Sequence, residues 1–142
     1  MYGVMVMVEL TIEAVLENLE KVNSFVTTAI EPVKCSPRVT MQLLMAVEEI
    51  FVNIAHYAYT PGKGPATISC EVKLDTPVQV IIKFIDGGMP YNPLQNQDPD
   101  TSLPVEERDI GGLGILLVKK SMDSVLYEYD NGKNILTIIK TV

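Results

Sequence analysis

The 142-residue chain has only two cysteines and one histidine. Cys35 and Cys70 form no CxxC pair and no Cys/His cluster, so nothing spells out a zinc site or a thiol redox motif, and both read as reduced thiols. Basic residues are scarce too: 11 lysines and arginines against 18 acids give a formal charge of -7. With no basic stripe to neutralise nucleic-acid phosphates or anionic lipids, the composition argues against direct nucleic-acid binding and against a membrane-surface role. Long apolar runs are missing as well. The opening MYGVMVMVEL has no cationic n-region and meets Glu9 well before the roughly 20 apolar residues that span a bilayer, so it reads as a strand and the chain is expected to be cytoplasmic.

No internal repeat or low-complexity tract divides the sequence. With 47% hydrophobic and 20% charged residues, it is expected to form one folded domain over residues 1–142, large enough to bury a core without disulfides or metals. A strand is expected over Val4 to Leu10. Leu16, Leu19, Val22, Val26 and Ile30 recur at helical spacing, which predicts a helix over about 16–30. After a break at Glu31-Pro32, Ser36 offers a hydroxyl N-cap and Pro37 suits the first helical position, so a second helix is predicted to run to about Tyr59. ATISCEVKL alternates as a half-buried strand, with Ile68, Cys70, Val72 and Leu74 on one face, and the more apolar VQVIIKFID should lie nearer the sheet centre. From Met89 to Gly112 prolines and polar residues predict a long lid-like loop. A short helix at LGILLVKKSM and a terminal hairpin turning at Asn131-Gly132 complete the chain. Tight strand connections and three helices predict an α+β fold: a two-layer α/β sandwich with a mixed, mostly antiparallel sheet and helices on one face.

Three short motifs stand out. In EEIFVNIAHYAY, the stripe Leu44, Val47, Phe51, Ile54 or Ala55, and Ala58 is assigned to the core, while Glu49 and Asn53 lie together on a neighbouring face. Taken alone, such a pair reads first as a solvated polar face, with a site for a hard cation or for a hydroxyl awaiting deprotonation as the functional alternative. In IKFIDGGMPYNP, Asp86 falls where a buried strand meets two glycines, so its carboxylate could accept an N-H from a ligand such as an adenine amine. Gly87 and Gly88 permit unusual backbone angles and close approach. In ERDIGGLGILLVKK, Gly111, Gly112 and Gly114 precede a helix whose N-terminal N-H groups favour an anion. A Rossmann fingerprint fails because Leu117 stands where the last glycine belongs and no strand precedes the cluster, and the Walker A pattern is absent.

In order and spacing these motifs resemble the N, G1 and G2 boxes of the GHKL (Bergerat-fold) ATPase superfamily, which includes gyrase-type ATPases and histidine kinases. LLMAVEEIFVNIAHYAY, DGGMPYNP and GGLGILLVKKSMDSVLYEYDNGKNILTIIK are most similar to the small bacterial serine kinases that act as anti-sigma factors, and the resemblance covers nearly the whole chain. It implies Mg²⁺ and ATP, with Glu49 as general base and Asn53 as the magnesium ligand. Asp86 would accept the adenine amine and Gly88 would leave room for the base. Gly111, Gly112, Leu113 and Gly114 would present backbone N-H groups to the phosphates, and Arg108 would neutralise phosphate charge or stand solvated in the lid. Its implied partners are a STAS-type anti-anti-sigma protein and a sigma factor, in a homodimer.

Glu48 is expected nearer the core than Glu49, as a structural or tuning neighbour. Many relatives place histidine four residues after the box asparagine, whereas here it comes three after, at His56. His56 is therefore expected to be a partly buried, hydrogen-bonded side chain without a catalytic role. Histidine autophosphorylation is disfavoured, since no separate helix pair carries a phosphoacceptor histidine. The alternative left open is a nucleotide-dependent partner-switch regulator with little or no kinase activity.

Overall fold

The computed structural model describes residues 5–95 and 113–142. The chain runs β1 (Met5–Glu13), α1 (Leu19–Ile30), α2 (Pro37–Tyr57), β2 (Pro65–Lys73), β3 (Gln79–Asp86), α3 (Leu113–Ser121), β4 (Ser124–Asp130) and β5 (Lys133–Thr141). The strands form one sheet in the order β1-β2-β3-β5-β4. Among the described residues every pairing is antiparallel, so the expected mixed sheet is antiparallel throughout. The α+β sandwich with helices on one face is the observed fold. No described helix is long and apolar enough to cross a membrane.

Strand alternation puts the core where the sequence places it. Ala66, Ile68, Cys70 and Val72 of β2, Val80, Ile82 and Phe84 of β3, and Leu136 and Ile138 of β5 are buried. They pack against Val22, Val26 and Ile30 of α1 and against Leu43, Ala46, Val47, Ile50 and Phe51 of α2. The core stripe of α2 therefore differs from the expected one. Leu44 and Ile54 only flank the core, and Leu43, Ala46 and Ile50 replace them inside it. A run in which apolar residues occupy several faces does not fix its own rotation; the sheet beneath it does.

Both ends of the elements move by a few residues. β1 continues to Glu13, pairing Leu10, Thr11 and Ile12 with β2. The first turn of the predicted α1 is a 3-10 turn at Leu16–Asn18. A second 3-10 turn at Glu31–Val33 and left-handed Lys34 (φ 56) make the break before α2. The Ser36 hydroxyl accepts a hydrogen bond from Val39 N at 3.2 Å and Pro37 occupies the first turn, as the N-cap reading requires. The hairpin turns on Asn131 and Gly132 at φ 53 and 76, the left-handed pair that its tight turn needs.

Both cysteines are free thiols, and burial pushes the Cys70 thiol up to about 12, so it stays protonated inside the sheet. At the far end of α3, Lys140 Nζ donates to Ser121 O at 2.7 Å and places a cation on the carbonyl end of the helix. Replacing Ser36 with alanine should leave the Val39 N-H uncapped and lower stability by about 1 kcal/mol, read from urea unfolding.

Candidate functional site

The site begins on one ridge of α2. Glu49 and Asn53 are both half-buried, and Asn53 Nδ2 donates to Glu49 Oε1 at 3.3 Å. That bond uses the amide's nitrogen and leaves its carbonyl oxygen as a hard donor. The Glu49 carboxylate lies against Gly114, in the first turn of α3: a Cβ built on Gly114 would overlap both carboxylate oxygens. The missing side chain is what lets α3 close on the carboxylate. Glu49 thus meets the N-terminal, partly positive end of α3 while keeping an amide beside it.

Two neighbours differ from expectation. Glu48 is exposed and Glu49 is the more buried of the pair, because the core side of α2 is set by Ala46, Val47 and Ile50. His56 is exposed as well, in edge contact with the Tyr57 ring (5.9 Å between centroids), and its backbone carbonyl accepts from Thr60 Oγ1 at 2.6 Å. It lies on the solvent side of the last helical turn, not partly inside.

Asp86 closes β3 with only 6% of its surface exposed. Its Oδ1 accepts from Gly88 N at 2.9 Å and from Asn134 Nδ2 at 3.0 Å, and Asn134 is its direct cross-strand partner on β5. Among the described residues both donors converge on that one oxygen, so the carboxylate retains acceptor capacity for a ligand amine.

The glycines after Asp86 have a different reason from the expected one. Among the described glycines only Gly132 has a positive φ, so Gly87 and Gly88 need no unusual angles. Gly88 is instead pressed on the end of α2, where an added Cβ would lie 2.6 Å from the Ala58 carbonyl carbon and 2.7 Å from Ala58 Cβ. Met89 N donates to Ala58 O at 3.1 Å in the same contact.

Three side chains that the motifs did not mark hold this loop. Asn134, also 6% exposed, donates through Nδ2 to Met89 O at 2.9 Å, and its Oδ1 accepts from Tyr91 N at 3.1 Å and from the Tyr127 hydroxyl. Tyr59 donates to Pro65 O at 2.6 Å and accepts from Gly87 N at 2.7 Å. Burial raises the pKa of both tyrosines, which keeps their hydroxyls protonated for these bonds. The available signal was positional. Asn134 shares the inward face of β5 with Leu136 and Ile138, and a polar residue at an inward position needs partners.

The three motifs are therefore strung along the second half of α2: Gly114 against Glu49, Asn53 one turn on, and Gly88 and Met89 against Ala58. Leu113 opens α3, whereas Arg108, Gly111 and Gly112 lie outside the described residues. No group of three or more His, Cys, Asp or Glu residues suited to a metal occurs among the described residues. A hard cation at Asn53 would take one amide oxygen from it and complete its shell with phosphate oxygens and water, the usual arrangement for magnesium. Asn134→Ala should lower stability by about 1–3 kcal/mol, because Asp86, Tyr91 N and Met89 O each lose a partner; urea unfolding measures it.

Comparison with known proteins identifies the family of the chain. Residues 12–140 match the histidine kinase-like ATPase domain. The chain is also 30% identical over 103 residues to serine/threonine-protein kinase BtrW of Bordetella bronchiseptica, covering 72% of this chain and 71% of that protein. The motifs, the antiparallel sandwich and a family match over nearly the whole sequence lead to one assignment: this chain belongs to the histidine kinase-like ATPase family.

Proposed function

We propose that the chain is a Mg-ATP-dependent protein serine/threonine kinase. The observation that carries this reading is the seating of Glu49: a carboxylate held on Gly114 at the start of α3, with the Asn53 amide bonded to its side. Kinship with BtrW, named a serine/threonine-protein kinase, supports the same conclusion.

In this reading Glu49 takes the proton of the acceptor hydroxyl as its oxygen forms a bond to the γ-phosphorus and the bond to the ADP leaving oxygen breaks. Asn53 contributes its carbonyl oxygen to Mg²⁺, which when bound neutralises charge on the phosphates. Asp86 accepts the adenine amine, and the tied DGG loop holds that carboxylate still so that the base finds it in place. Leu113 and Gly114, with Gly111 and Gly112, offer backbone N-H groups to phosphate, and Arg108 adds a cation. Such transfer depends chiefly on positioning and on charge offset, so one base, one amide and a helix N-terminus suffice.

The proposed acceptor is a serine or threonine of a STAS-type anti-anti-sigma protein. With that antagonist absent the kinase, as a cytoplasmic homodimer, sequesters a sigma factor. An acidic chain that controls transcription by binding protein rather than DNA suits this scheme. The alternative is a nucleotide-gated binding module without catalysis. The close seating of Glu49 favours the kinase, since a module that only binds nucleotide has no use for a carboxylate lodged beside the phosphate-binding turn.

Incubation with radiolabelled ATP and a STAS-domain protein from the source genome should give labelled serine or threonine, whereas nucleotide binding without label would leave the binding module. Glu49→Ala should cut transfer by about 100-fold or more with ATP affinity largely kept. Asp86→Asn should weaken calorimetric ATP affinity by about 10- to 100-fold, and unchanged affinity would remove Asp86 from the adenine site. Gly114→Ala separates seating from folding. Alanine is favoured in a helix by about 1 kcal/mol and the Glu49 carboxylate can swing aside, so thermal stability should hold while transfer falls.

A further inference from the structure

The ridge that carries Glu49 and Asn53 does not start with them. Met41, Met45, Glu49 and Asn53 follow one another at intervals of four along α2. Each step rises about 6 Å and turns about 40° around the helix axis, so the row winds from the solvent side toward the site. Exposure follows that winding: Met41 is 58% and Met45 54% exposed, whereas Glu49 and Asn53 are half-buried. Two large apolar side chains thus stand in water about 6 Å and 12 Å from the carboxylate along the axis, on the same ridge and on rigid helix. Exposed Arg38 and Glu48 flank them three residues away on either side.

We propose that Met41 and Met45 are the docking surface for the polypeptide substrate, a protein whose apolar surface covers both methionines and so delivers its serine or threonine hydroxyl to Glu49. The inference rests on the protein-kinase reading and deepens it. The continuity of the ridge argues for this occupant. A small hydroxyl compound placed at Glu49 cannot reach a side chain 6–12 Å away, whereas a folded protein presenting one residue to the carboxylate necessarily lies over the adjoining surface. Methionine suits such a contact, being flexible enough to fit an irregular partner, and the polar rim of Arg38 and Glu48 around an apolar centre is the usual anatomy of a protein interface.

The test compares the wild type with Met41→Glu/Met45→Glu and with Met41→Leu/Met45→Leu, all loaded with nucleotide, using a purified STAS-domain protein from the source genome. Since both side chains already stand in water, thermal melts should agree for the three proteins. The glutamate variant should show at least a tenfold weaker affinity for the STAS protein by biolayer interferometry and a matching rise in its KM. Its kcat at saturation and its ATP affinity should stay within about twofold of wild type, and the leucine variant should behave as wild type. An unchanged STAS affinity overturns the docking surface, as does a fall in kcat without a change in KM. So does a glutamate variant that differs only by dissociating on size-exclusion chromatography, which would make the face a contact between copies of this chain. Failure of the kinase reading has a separate signature: wild type that binds the STAS protein but transfers no label. Wild type that does not bind it at all overturns the docking proposal.

Discussion

A carboxylate buried at the end of a β-sheet is costly unless donors reach it, and the architecture around Asp86 is the answer to that constraint. The register of β3 and β5 sets Asn134 directly opposite, so the nearest donor comes from the strand pairing itself. The same amide then reaches the Met89 carbonyl and, through its oxygen, the Tyr91 N-H and the Tyr127 hydroxyl. One side chain links sheet, loop and edge strand. A loop tied at this many points has little left to rearrange, which suits the adenine contact proposed for Asp86.

α2 is the other fixed reference. Its buried side packs on the sheet, and its remaining surface is divided lengthwise: methionines in solvent, then the carboxylate and amide, then the carbonyl of Ala58 on which the glycine loop rests. Because these features share one rigid element, their spacing follows from the helical repeat and not from loop conformations. The two glycines that meet this helix differ in kind. Gly88 faces backbone that cannot yield, so it governs whether the loop seats at all. Gly114 faces the end of a side chain that can swing away, so it governs where the Glu49 carboxylate points.

Much of this was legible in the sequence because the signals were local. Alternation in ATISCEVKL, the Ser36-Pro37 cap and the Asn131-Gly132 turn each express short-range chemistry, and each lies where it was read. Phase was harder. EEIFVNIAHYAY has apolar residues on several faces, so Glu48 and Glu49 exchanged their expected burial, and His56 proved exposed once the sheet fixed the rotation of α2. Asn134 escaped notice for a different reason: beside a tight turn a polar residue is ordinary, and only the pairing with Asp86 across 48 positions turns it into the centre of a network. Long-range partnership of that sort has no local signature.

The Asp86 network and the outer ridge of α2 differ in how far each is coupled to the rest of the fold. The Asp86 network couples four elements, so a substitution there disturbs the fold together with the proposed adenine contact. The outer ridge of α2 is coupled to almost nothing: Met41 and Met45 contribute little to the core and can change without disturbing Glu49 or Asn53. If Met41 and Met45 form the proposed docking surface, selection on partner choice can act there while Glu49 and Asn53 stay fixed, since the helix holds the distance between them constant whatever side chains it displays. On the proposed reading, a single helix that separates recognition from chemistry by whole turns lets one catalytic unit serve different polypeptides.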